Sequence, residues 1–140
     1  DKFLALAEAF PEDTWDWTPM DDVRSVRDVM ALIVAEGYLF PVLWGVEAPE
    51  GVEEAFGAEM ERVGAMSRAD VIREIERAFE HLATSTRDLT LAQQVSEGSW
   101  FGQPISVVGA IARASGDMHE HLGQAIAYAP RNHIVPPWSR

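Results

Sequence analysis

Cysteine is missing from this 140-residue chain. Its absence removes a disulfide framework, a thiol nucleophile and every cysteine-type zinc site, and it fits a reducing, cytoplasmic setting. Long apolar runs are missing too. The richest, Val29 to Val34, falls far short of the ~18–20 residues that cross a bilayer, so no membrane partner is expected. Positive charge is scarce, with 11 Lys and Arg against 23 Asp and Glu. The deficit is uneven: residues 1–61 hold 15 acidic and 3 basic side chains, whereas residues 62–140 hold 8 of each. No segment supplies the basic stripe that displaces phosphate counterions, so no nucleic-acid partner is expected. The acidic half reads as a solvated surface.

What is present suits one globular domain over 1–140. Hydrophobic residues make up 47% and charged residues 24%, a balance that sustains a packed core rather than disorder. Phe3, Leu6, Ala7 and Phe10 recur at helical spacing until Pro11 stops them. The chain opens inside this first helix, which is expected to be shortened at its N-terminus. Residues 11–24, with two prolines and several aspartates, read as a loop. Ser25 and Asp28 form a capping-box start, and the helix from Val26 to about Leu39 is apolar on nearly every side, which predicts a central position. Pro41 ends or kinks it.

Residues 45–66 read as a long acidic connection with a short helix near Gly51–Glu61. Ser67 and Asp70 repeat the capping signal before a stripe of Val71, Ile72, Ile75, Phe79 and Leu82. The segment Leu89–Gln103 reads as a loop, because its alternation is too weak to predict a strand. A last helix runs from about Ser106 to Tyr128. Four helices with no strand pack most simply as an all-α four-helix bundle, with the second and last adjacent.

The chemistry-bearing residues lie on the last helix. Asp117 and His121 are four apart and leave one face about a turn from each other, a spacing that lets two side chains share one divalent metal. The same spacing also suits a plain hydrogen bond, and Arg113, one turn earlier, is placed to pair with Asp117 instead. Gln124 and Tyr128 continue the polar face and are candidate substrate-pocket residues. His119 points elsewhere. His81 reads as solvated and His133 as a loop residue, while Trp15, Trp17 and Trp138 read as closing the core.

Several segments resemble the DinB-like superfamily of damage-inducible, metal-binding helical bundles. They are Leu4 to Glu12 with Trp15-Asp16-Trp17-Thr18-Pro19, then Val23 to Val29, and His119-Glu120-His121-Leu122-Gly123-Gln124 continuing to Ala129, with Asn132, Ile134, Val135, Pro136, Pro137 and Trp138. The resemblance implies a homodimeric bundle that binds one zinc or nickel ion through a histidine of the second helix and an H-x-x-x-H pair on the last. By position these ligands fall on Leu32, Asp117 and His121. His121 matches, Asp117 is a carboxylate replacement, and Leu32 cannot ligate. Glu36, one turn after Leu32, reaches the same space if the helix rotates slightly, so the expectation is a weak or absent metal. Relatives imply a thiol-dependent transferase acting on a small molecule. The alternative is a non-catalytic ligand-binding or dimeric bundle without metal.

Overall fold

The helix α2 (Val26–Leu39) starts where the capping box places it. Ser25 Oγ accepts from the Asp28 amide at 3.1 Å while the Asp28 carboxylate accepts from the Ser25 amide at 2.9 Å, so two otherwise orphaned donors are satisfied. In the computed structural model, which describes residues 2–139, every residue of α2 except Arg27 and Asp28 is buried. Helices α1 (Lys2–Ala9), α3 (Phe56–Gly64), α4 (Arg68–Arg87) and α6 (Val107–Tyr128) complete the main frame. Helix α2 packs on α3, α4 and α6, and α1 bridges α4 and α6. Pro41 opens a short 3-10 turn that ends at Trp44, as its missing amide requires.

Two sequence readings change. At Ser67 only half of the capping box forms: its Oγ accepts from the Asp70 amide at 3.2 Å, while the Asp70 carboxylate takes the Ser67 hydroxyl and the guanidinium of Arg73. The segment read as a loop holds a short helix α5 (Leu91–Val95) and an antiparallel hairpin, β1 (Glu97–Trp100) with β2 (Gln103–Ser106). Thr90 and Gln93 build a capping box at α5. Phe101 at φ 48° and Gly102 at φ 82° close the hairpin, the paired positive values of a two-residue primed turn. Four-residue strands carry too little alternation to announce themselves. Aromatic packing fixes them, with Trp100 against Phe40 at 5.3 Å and Phe101 against Phe56 at 5.7 Å between ring centroids.

The tryptophans close the core. Trp15 is fully buried, donates its indole N–H to the Phe10 carbonyl at 3.2 Å, and has the guanidiniums of Arg27 and Arg68 each 5.7 Å from its ring centroid. Arg68 also donates to the carbonyls of Ala7, Glu8 and Phe10, which satisfies the exposed C-terminal end of α1. The ammonium of Lys2 sits over Trp138, holding the tail to α1.

The acidic half is not wholly a solvated surface. Glu59 of α3 is fully buried, gripped by Nε and Nη2 of Arg62 at 2.7 and 2.5 Å and by the Glu53 amide at 3.0 Å. Arg62 also reaches Glu74 of α4 at 3.3 Å, and Glu74 accepts from the Tyr38 hydroxyl at 3.1 Å and from Arg77 at 2.7 Å. Every charge in this seam has a partner, which is the condition under which burial of ions is tolerated.

Helices α2 and α4 approach closely at Gly37. A Cβ there would lie 2.8 Å from the Ala78 Cβ and 3.1 Å from its backbone carbon and oxygen. Alanine ordinarily favours a helix over glycine by about 1 kcal/mol. Here overpacking reverses the sign, and Gly37→Ala is expected to lower unfolding free energy by about 1–3 kcal/mol in urea denaturation.

Candidate metal centre

Helix α6 presents Asp117 and His121 on one face, and the buried flank of α2 brings Glu36 against them. One ligating atom from each of the three lies within 4.8 Å of the others. The Glu36 Oε1 and His121 Nε2 atoms stand 3.0 Å apart. Glu36 is only 2% exposed, and its second oxygen, Oε2, has no hydrogen-bond partner. A buried carboxylate oxygen without a partner costs free energy that a native fold rarely tolerates without a use. The donor set, two carboxylates and an imidazole, suits zinc or nickel. The orphaned oxygen and the donor chemistry together fit a divalent ion.

The electrostatics fit as well. Burial pushes the Glu36 carboxyl above the usual carboxylate range, and the neighbouring Asp117 adds to this, while the hydrogen bond and charge of His121 oppose it. The hydrogen bond to Glu36 raises the His121 imidazole above its ordinary value, with burial and the charge of Arg24 pulling the other way. Glu36 and His121 thus hold each other through a contact whose two atoms are both of metal-ligating type.

Leu32 is buried one turn before Glu36. The resemblance places the second-helix position on Leu32, which leaves Asp117 and His121 as candidates. Glu36, from its place in a regular α2, reaches His121 and completes a group of three that could hold an ion. His119 stays outside, its Nδ1 lying 2.6 Å from the Ser115 carbonyl. Arg113 is exposed and makes no ion pair with Asp117 among the described residues, so nothing there competes for that carboxylate.

His133 caps a short loop turn with φ 58°. His81 is not solvated as its helix face suggested. Its Nε2 is buried without a partner beside Tyr38, and burial lowers its pKa.

Gln124 and Tyr128 are brought to the same end of the molecule as α2 begins. Gln124 Nε2 donates to the Tyr128 oxygen at 2.7 Å, and the Tyr128 hydroxyl donates to the backbone carbonyl of Arg24 at 2.9 Å. Trp17 stands edge-on to the Tyr128 ring at 5.3 Å. Reading the sequence did not single out Arg24, because only this long-range hydrogen bond brings it to α6. A cleft of about 500 Å³ lies elsewhere, between α1, α4 and α6, with Phe3, Phe79, Ile111, Met118 and Leu122 in its wall, and none of the three candidate ligands lines it.

If Glu36 is kept for ligation and not for folding, removing it should help the metal-free chain. Replacing Glu36 by leucine is expected to raise stability in chelator by about 1 kcal/mol, read as an upward shift of the thermal midpoint. A loss of 3 kcal/mol or so would instead mark Glu36 as a structural partner of His121.

Comparison with known proteins bears on the same residues. No curated protein matches the chain significantly. A family model described as the DinB superfamily matches residues 1–125, a span that includes Glu36, Asp117 and His121 and stops short of Tyr128. The match covers most of the chain, the helical architecture agrees with it, and the chain belongs to the DinB superfamily.

Proposed function

We propose that Glu36, Asp117 and His121 hold one zinc or nickel ion, and that the centre serves thiol-dependent transfer to a small molecule. The observation that carries the reading is Glu36, a carboxylate buried in the most enclosed helix with one oxygen unpartnered and its other oxygen on His121. When bound, the ion supplies Lewis acidity, which favours the thiolate form of a thiol at neutral pH.

The chain's own residues do the rest. Glu36 and Asp117 bind through oxygen from opposite helices. His121 would hold the ion through a neutral Nε2, its proton passing to solvent, because only the unprotonated nitrogen ligates. Leu32, buried on the preceding turn, gives the α2 side an apolar wall that keeps water off that flank. The tie between Gln124, Tyr128 and Arg24 holds the start of α2 against the end of α6, which fixes the edge of the site where a substrate enters.

A second reading, a non-catalytic bundle without metal, draws on Leu32, the apolar side chain at the position where the family places a histidine. The two readings separate in a calorimetric titration of the chelator-treated protein with Zn²⁺ and Ni²⁺. A structural zinc contributes ~10–16 kcal/mol through four ligands, so each is worth roughly 3 kcal/mol, or about two decades of affinity. One ion per chain is expected, with Glu36→Ala, Asp117→Ala and His121→Ala each weakening binding by about that factor. If Leu32→His restores tight binding while Glu36→Ala changes nothing, the ligand set proposed here is wrong.

A further inference from the structure

Asp117 and His121 use one side of α6, while Met118 and Leu122, their neighbours in sequence, face a different space. They line the cleft of about 500 Å³ between α1, α4 and α6, a volume that suits a small organic molecule. Its wall is sorted by depth. Phe3, Trp44 and Met118 are buried in it, and Phe79, Leu82 and Ile111 are half-buried. The exposed side chains of Lys2, Ser115 and His119 bring polar atoms to its mouth. That order matches a ligand with an apolar body and one polar end.

The charge of the polar end follows from which residues line the cleft. The chain has 23 acidic residues and a single lysine. Among the described residues no acidic side chain lines the cleft, and the lysine does. The Trp138 ring holds Lys2 in place, with the ammonium 5.3 Å from its centroid. Lys2 makes no ion pair or hydrogen bond among the described residues, so N–H donors remain for a ligand. Thr86 and His119 are turned to backbone carbonyls of their own helices. Lys2 is thus the charge that an incoming group meets, and one ammonium balances one negative charge. We infer that this cleft is a binding site for a small apolar monocarboxylic acid, its body against the apolar wall and its carboxylate on Lys2. The inference does not depend on a metal at Glu36, Asp117 and His121.

The test titrates octanoate, its neutral amide octanamide, and the shorter butyrate into the full chain by calorimetry. Native protein is expected to bind octanoate saturably, and octanamide about tenfold less tightly. Butyrate should bind about two decades less tightly than octanoate, because fewer methylenes are buried. The preference for acid over amide should shrink at high salt, since the ammonium is exposed. Lys2→Gln is expected to erase that preference and leave affinity for octanamide unchanged. Ala83 is exposed and lines the cleft, so Ala83→Trp fills it from outside the core and should abolish octanoate binding with the thermal midpoint kept. Absence of saturable binding by native protein, or equal binding of acid and amide, overturns the inference. So does a preference that survives in Lys2→Gln, or uptake that survives in Ala83→Trp. Light scattering that shows a dimer split by Ala83→Trp overturns it as well, because a second copy then occupies the cleft.

Discussion

Helix α2 is surrounded on all sides, and three consecutive residues of it show what that enclosure demands. Successive positions on a helix point about 100° apart, so Glu36, Gly37 and Tyr38 face different neighbours. Gly37 lets α4 approach to a distance that admits no side chain. Tyr38 carries a hydroxyl into the same interface and satisfies it on Glu74. Glu36 carries a charge toward α6 and meets His121 with only one of its two oxygens. Two of the three are fully matched by their surroundings. The third keeps one oxygen without a hydrogen-bond partner, and the candidate centre sits there.

The contrast with the seam around Glu59 sharpens this. Both are carboxylates taken out of water, and neither has an evident sequence mark of burial. Glu59 is met by a bidentate guanidinium and a backbone amide, so its burial is compensated within the fold. Glu36 is met by an imidazole and by a second carboxylate, Asp117, which together with burial pushes its carboxyl above the usual range, and its Oε2 has no hydrogen-bond partner. The same physical principle reads the first as structural and the second as poised for a cation.

Much of the fold was legible in the residues because the signals were local and reinforced one another. The Ser25–Asp28 cap and the all-round apolar character of Val26–Leu39 set the start, end and central place of α2, and Pro41 set its termination. The hairpin was not legible, since two four-residue strands derive their order from Phe40 and Phe56, which are distant in sequence. For the site, the Asp117–His121 spacing was readable from helical geometry. Glu36 was readable only as one turn from the expected position, because whether a side chain reaches across depends on how α2 and α6 cross. Glu59 and Arg24 were hidden for the same reason: burial of one and exposure of the other follow from contacts far apart in sequence.

In the ligand set we propose, the α2 donor is Glu36 rather than residue 32 and α6 contributes the carboxylate of Asp117, and this changes more than the ligand names. A set of three neutral imidazoles leaves a bound divalent ion its full charge, whereas Glu36 and Asp117 cancel it. A neutralised centre attracts anions less strongly and polarises a bound group less, because the carboxylates donate charge toward the same ion. Harder oxygen donors also shift the balance away from metals that favour nitrogen-rich sites. Such a centre depends more on its rim than a three-histidine centre does. Leu32, buried one turn before Glu36, is an apolar part of that surround. Carboxylates at 36 and 117 thus leave part of the work of binding to the protein around the ion.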